Sequence, residues 1–385
     1  MEEWKALMNR VYITQAKVIT ALGPDLDSLF NGLMDQKSGI DKITRFNTQL
    51  YVSSYAGSVQ SLNHLEKTPL ILQLSDMLIE QLGDIPPDTF LITASTKGGI
   101  EILEKNIARS NSIPKELLLS GLTKYIALKS GLKNRGININ CACASSTVAV
   151  AKAASLIAKG IVDSALICCM DVITPFVFSG FSSLGAMSDE PARPFDNKRK
   201  GLTLGEGAAA IILMNKQKAK ALGQPLLGEI AGWGIANDAT HLTAPAKDGK
   251  GLKRAIETAC KKAKILLHDI HAINTHGTGT RYNDAMELNL INKMFQPKKI
   301  IANSIKGAIG HTLGAAGGIE IALCLKMLKE KMVPGTSGFV QSENESQTII
   351  SPDPRPFKGD CILTTNSGFG GINAAMILQA PYHRE

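Results

Sequence analysis

Four stretches of the chain combine reactive side chains with the short, small-residue loops that would expose them. In Cys141-Ala142-Cys143-Ala144-Ser145-Ser146, the Cys143 thiol stands where an apolar strand gives way to an alanine-rich helix. A helix N-terminus offers unpaired N–H groups and the positive end of the helix dipole. It is therefore expected to favour the thiolate, the form that attacks carbonyl carbon. The Cys143 N–H is also placed to donate to an oxyanion formed on the attacked carbon. The alternative is an inert packed thiol, the usual state of a cysteine in an apolar segment. Cys141, Cys168 and Cys169 are read that way.

His276 closes a strand-like run and opens His276-Gly277-Thr278-Gly279-Thr280, whose hydroxyls and glycines suit close contact with an extended polar chain. Loops of this kind gather ligands in α/β proteins, although a lone structural histidine would look the same. In Asn303-Ser304-Ile305-Lys306-Gly307-Ala308-Ile309-Gly310-His311, a strand again ends in a glycine-bearing loop and a histidine begins a helix. That position disfavours imidazolium, leaving a neutral ring able to donate. Lys306 and Glu320, taken singly, read as solvated charges. Asn366-Ser367-Gly368-Phe369-Gly370-Gly371-Ile372-Asn373 is either a plain hairpin turn or a turn whose N–H groups face a ligand; it has neither P-loop nor dinucleotide spacing. One thiol followed by two histidines, each at a strand end, points to acyl chemistry at a thioester.

These loops need a frame, and apolar runs alternating with small-residue helical stretches supply an α/β one. Strands are expected at Val11–Thr14, Thr89–Thr93, Ile137–Cys141, Ala165–Ile173, Ala208–Met214, Ala272–Thr275 and Ile300–Asn303, with a pair at Cys361–Asn366 and Ala374–Leu378. Helices are expected at Leu70–Leu82, Ala144–Lys159, Gly251–Lys264 and Thr312–Lys329. Two of them, Ala144–Lys159 and Thr312–Lys329, are alanine-rich and belong in the interior. The second opens Gly314-Ala315-Ala316-Gly317-Gly318, which permits close approach to a neighbour. A seam falls at Lys216–Pro225, and Pro334–Asp360 reads as loop. Each half thus holds a strand leading into a buried helix, a hint of duplication.

The composition fits that frame. The chain has 385 residues, 44% hydrophobic and 20% charged, which excludes a disordered chain. No apolar run reaches the ~18 residues of a membrane helix. Met1-Glu2-Glu3-Trp4-Lys5 lacks the apolar block of a secretory signal. Seven cysteines without CxxC or His/Cys metal spacing argue against a disulfide framework or zinc site and for a reduced, cytoplasmic compartment. The net charge of +8 suggests an acidic partner. No feature calls for nucleic acid.

Taken together, the Cys141–Ser146, Asn274–Thr280, Lys306–Gly317 and Gly368–Gly371 segments resemble the β-ketoacyl-(acyl carrier protein) synthases, of the Cys-His-His class. Arg193-Pro194-Phe195-Asp196 and Gly205-Glu206-Gly207-Ala208 are similar to a further block of that family. The resemblance runs from about Val11 to Leu378, with every block in order.

It implies a thiolase-like fold: two duplicated halves, 1–225 with Cys143 and 226–385 with His276, Lys306 and His311, stacked as α-β-α-β-α layers. It further implies a homodimer, or a heterodimer with a related subunit. By the same resemblance Cys143 takes an acyl group from an acyl carrier protein. His276 and His311 then hold a malonyl thioester during decarboxylation, and the enolate attacks the acyl-cysteine. Cys143 and Phe369 N–H groups would form the oxyanion hole. Lys306 matches the lysine beside the second histidine, with Glu320 its charge partner and Asn373 supporting. Thr278, Thr280, Phe369 and Gly370 would contact the phosphopantetheine-borne substrate, and no metal or other cofactor is implied. Lys198, Arg199 and Lys200 form the expected carrier-protein patch.

The chain departs from the family at Asn366-Ser367, where Ser-Phe is common, at Cys141 and Cys168-Cys169, and in a shorter Thr96–Gly136 segment. A papain-like protease leaves Lys306, His311 and the threonine loop unexplained. A thiolase would need a C-terminal Cys-x-Gly, which Cys361-Ile-Leu does not provide. The remaining alternative is a non-catalytic chain-length partner of the condensing type.

Overall fold

The computed structural model describes residues 9–106, 118–297, 300–343 and 349–381. The acidic N-terminal pentapeptide lies outside them, as does part of the Thr96–Gly136 segment. The apolar runs form ten strands of one mixed sheet. In chain order the first five are Val11–Ile19, Phe90–Ala94, Ile137–Asn138, Ser164–Asp171 and Gly207–Asn215. The second five are Gly228–Asn237, Ala272–Asn274, Ile301–Asn303, Cys361–Gly368 and Ile372–Gln379.

Each set lies side by side in the same spatial order: first, fifth, fourth, second, third. Directions repeat as well. In both sets the first, fifth and fourth strands pair antiparallel, and the fourth, second and third pair parallel. The sets meet through their first strands, Tyr12 opposite Glu229 and Ile13 opposite Gly228. The expected duplication is thus visible as topology.

Side-chain alternation along each strand sorts the core into layers. Ala165, Ile167 and Cys169 face a central apolar cluster, whereas Leu166, Cys168 and Met170 face an outer one. The adjacent cysteines therefore pack into different layers. Helices Ser145–Ala158 and Ala316–Glu330 fill the centre and touch both sets of strands. A Cβ on Gly317 would lie 2.0 Å from Thr147 Oγ1, so only glycine allows this approach, and one on Gly318 would sit tightly, 3.1 Å from Cys169 Sγ. Leu70–Glu80 and Leu119–Lys129 cover the outside of the first set, and Lys250–Ala263 and Arg281–Phe295 that of the second. These are the five layers of the thiolase-like fold.

The structure corrects several boundaries. The strand expected at Ile137–Cys141 ends at Asn138, because residues 139–144 bend into the turn that carries Cys143. Cys141 is consequently half-buried and not core. The second central helix begins at Ala316 after a 3-10 turn at Leu313–Ala315, so His311 precedes it by a full turn. Strand Gly228–Asn237 and helix Arg281–Phe295 carry mixed polar and apolar residues whose pattern did not reveal them. The Pro334–Asp360 loop contains a two-residue strand, Arg355–Pro356, paired with Met332–Val333.

Candidate active site

Every reactive loop leaves the carboxyl end of a strand, where ligands gather in α/β folds. The repeated order brings these ends together: Cys143 follows the third strand of the first set, His311 the third of the second, and His276 the second of the second. All three line one cavity of about 830 Å³, with Thr278, Thr280, Phe369 and Asn373. The two imidazole centroids are 5.2 Å apart, nearly perpendicular.

The turn before the helix is closed locally. Ala142 adopts φ 48°, a left-handed conformation costing an alanine of order 1–3 kcal/mol. Ser145 Oγ donates to Ala142 O at 2.5 Å and accepts from Cys141 N at 2.9 Å, fixing that turn. Opposite it, a Cβ on Gly368 would stand 3.0 Å from Cys143 N, so the gate turn can approach only without a side chain. The Phe369 N–H lies within electrostatic reach of the Cys143 sulfur, and the Phe369 ring stacks on Phe181 at 5.9 Å.

Electrostatics differ from the expected thiolate. Burial pushes the Cys143 thiol up to about 11, outweighing the opposing pull of Lys306, Lys97 and the Phe369 N–H. The resting sulfur is therefore a thiol, and a nearby group must take its proton. Burial, reinforced by Lys306, drives both His276 and His311 well below the usual imidazole range, so both rings are neutral. His311 Nδ1 accepts from Leu313 N at 3.2 Å, which leaves the proton on Nε2, a buried atom with no partner among the described residues. Leu313 reaches that position with φ 52°. His276 Nδ1 is likewise buried and unpartnered. Two neutral rings with unused nitrogens are suited to a developing oxyanion.

The ion pair of Lys306 and Glu320 is buried, not solvated. Glu320 also accepts from Asn366 Nδ2 at 2.6 Å, and Asn366 accepts from the Thr147 hydroxyl. Asn373 ties the gate turn down: its Oδ1 accepts from Ser367 Oγ at 2.7 Å and its Nδ2 donates to Asp238 at 3.0 Å.

Two expectations are overturned. Arg199 is buried, donating to Asp196 O and Arg281 O and pairing with Glu343, so it offers nothing to a docking partner. Of its neighbours, Lys198 is exposed, while Lys200, also exposed, pairs with Asp189 beside the cavity. Gly370 is exposed and off the cavity wall; its N–H donates to Leu242 O at 2.6 Å, which serves the turn.

Sequence reasoning also missed three buried carboxylates. Glu287 accepts from His276 N at 2.8 Å and Gly277 N at 2.7 Å, and Asp284 from Thr278 N and Gly279 N at 3.0 Å each. Together they hold the His276–Thr280 loop; Phe195 N also donates to Asp284, at 2.7 Å. Asp171 accepts from Ser95 Oγ, Thr96 and Gly314 N, joining the two sets of strands beside His311. The available signal was the i, i+3 pair of acids just after the threonine loop.

The family described as beta-ketoacyl synthase, N-terminal domain, matches residues 92–219, and its C-terminal domain matches 227–340. The 3-oxoacyl-(acyl-carrier-protein) synthase 2 of Synechocystis sp. is 30% identical, covering 95% of this chain and 97% of its own. That of Coxiella burnetii is 28% identical over 96% and 98%. Among solved structures, the ishigamide ketosynthase/chain length factor superposes with a TM-score of 0.88 at 26% identity, covering 97% of this chain and all of that one. A type II ketosynthase bound to the hexaketide, in complex with its acyl-carrier protein, gives 0.87 at 25%, with the same coverage. A reactive cavity built at the junction of a duplicated fold, and relatives matched along nearly their whole length, make the chain a member of the β-ketoacyl synthase family of acyl-transferring condensing enzymes.

Proposed function

We propose that the chain is a catalytic β-ketoacyl synthase that condenses an acyl thioester with malonyl-(acyl carrier protein) with loss of carbon dioxide. The observation that carries this reading is the convergence of Cys143, His276 and His311 on one cavity. The Cys143 thiol gives its proton to a neighbouring neutral imidazole and attacks the acyl thioester, with the Cys143 and Phe369 N–H groups receiving the oxyanion. Pantetheine thiol leaves with a proton. A malonyl thioester then enters along Thr278 and Thr280. His276 and His311 donate to its carbonyl as carbon dioxide departs, and the resulting enolate attacks the acyl-cysteine. That step yields the β-ketoacyl thioester and returns Cys143.

Burial, reinforced by Lys306 in its pair with Glu320, keeps both rings neutral. The two halves divide at residues 225/226, in the exposed turn before Gly228–Asn237. Substrates arrive on the phosphopantetheine of an acyl carrier protein in the cytoplasm, and the active form is a dimer, either of this chain or with a related subunit. No helix among the described residues is long and apolar enough to cross a membrane.

The similarity to a ketosynthase/chain length factor structure favours one rival, a subunit that shapes chain length without reacting. Intact-mass spectrometry after incubation with an acyl-carrier thioester separates them. An adduct that disappears in Cys143→Ala supports catalysis; no adduct supports the rival. His276→Ala and His311→Ala are expected to retain the adduct and lose malonyl decarboxylation, and retained decarboxylation in both would contradict their assigned roles.

A further inference from the structure

Two stretches of the cavity wall run from buried to exposed residues. On one, Thr278 is buried, Thr280 half-buried and Arg281 exposed. On the other, Asp238 is buried, Pro245 half-buried and Lys247 exposed, with His241 exposed in the same loop. Cys143, His276 and His311 lie at the buried end, so His241, Lys247 and Arg281 stand at the opening. The charge there is one-sided. The exposed charged side chains lining the cavity, Lys200, Lys247 and Arg281, are all cations. The carboxylate in its wall, Asp238, is buried and accepts from Asn373 Nδ2 at 3.0 Å and Ala246 N at 2.9 Å. Lys200 is matched by Asp189 at 3.1 Å, whereas the side chains of Lys247 and Arg281 have no hydrogen bond or ion pair among the described residues.

His241 adds a donor whose orientation is set locally. Its Nδ1 accepts from Thr243 N at 3.1 Å and Ala244 N at 3.0 Å. The neutral ring therefore carries its proton on Nε2, which has no partner among the described residues. Two unmatched cations and one oriented N–H at a single opening call for an anion with several acceptor oxygens. Of the two anionic groups that the proposed substrates bring, the malonyl carboxylate is lost at the buried histidines. The phosphodiester, at the carrier end of the pantetheine arm, is the one that stays at the opening.

Resting on the catalytic reading, we propose that His241, Lys247 and Arg281 form the subsite for the phosphate of the carrier-borne pantetheine. Arg281 directly follows Thr280, so an arm running past Thr278 and Thr280 meets the guanidinium next on its way out. Lys247 and His241 reach the phosphate from the other stretch of wall, the first as a charge and the second through Nε2–H.

The test compares octanoyl-pantetheine with octanoyl-phosphopantetheine, which differ only in the phosphate. Each is offered to the full chain below saturation, and the initial rate of Cys143 acylation is read by intact-mass spectrometry. The wild type is expected to acylate about tenfold faster from the phosphorylated thioester. That ratio should fall to about one in the double variant Lys247→Met/Arg281→Met and to about threefold in His241→Phe. Added salt should lower it in the wild type, a reading that needs no variant. A wild-type ratio near one, or a ratio that salt or either variant leaves unchanged, overturns the subsite while leaving Cys143 acylation standing. Absence of any wild-type adduct overturns the catalytic reading, and this inference with it.

Discussion

At the scale of single residues, the site is held by buried charges whose partners are few and fixed. Removing one member of a buried ion pair strands the other, at a cost of roughly 3–5 kcal/mol. Glu320→Gln should therefore lower urea stability by that order, because Lys306 pairs with no second carboxylate among the described residues. Glu287 poses a different question. Burial raises its carboxyl from 4.5 to about 7. Between those values the folded protein keeps a proton that the unfolded chain has released. The stability it contributes is therefore full below about pH 4.5 and is lost as pH rises through about 7, by up to about 3 kcal/mol. The difference in urea midpoint between wild type and Glu287→Gln should shrink or reverse across that interval, and a pH-independent difference would refute the assignment.

Cys143, His276 and His311 were legible in the sequence because each adjoins small residues that mark an exposed turn. The carboxylates were not. Asp171 acts through Gly314, 143 positions away, and Glu287 through backbone N–H groups that no pattern of side chains announces. Arg199 was misread for the same reason, since a cation in a polar loop looks solvated until distant partners enclose it.

At the scale of elements, the close approach of the two central helices is what lets the Lys306–Glu320–Asn366–Thr147 chain form. Gly317→Ala would place a methyl 2.0 Å from Thr147 Oγ1 and 2.6 Å from Asn366 Oδ1, so the chain must shift. Overpacking of this kind costs about 1–3 kcal/mol, and a lower melting temperature should appear together with, on the proposed catalytic reading, slower malonyl decarboxylation. Gly180, exposed on helix Pro175–Ser183 with no atom within 4 Å of where an added methyl would stand, is the control. Gly180→Ala should raise stability by about 0.5–1 kcal/mol through reduced backbone entropy alone. The central helices were recognisable because nearly every face is apolar or small. Helix Arg281–Phe295 escaped notice because its buried side includes Asn283, Asp284 and Glu287, polar residues spent on the site.

For the whole molecule, one central cluster draws residues from both sets of strands, while the segment that joins them, 216–227, contains an exposed turn at 222–223. Contacts hold the halves together and the link does not. A protease site placed after Gly223, which has open space around it, should give a nicked protein that elutes as one species and separates only in denaturant. Separation without denaturant would show that the shared core is weaker than its burial implies. The α/β class was foreseeable from alternating apolar runs and the layered arrangement from the family resemblance, whereas the strand order was not, since pairing between distant segments leaves no local trace.

Cys143 and His311 sit at matching places in the repeated topology, each just past the third strand of its set. Two identical polypeptides related by a symmetry axis would be obliged to offer the same residue from both sides: sulfur facing sulfur, or ring facing ring. Joining the copies end to end removes that obligation. Each side is then free to carry a different residue, here a thiol on one and an imidazole on the other, both lining one cavity.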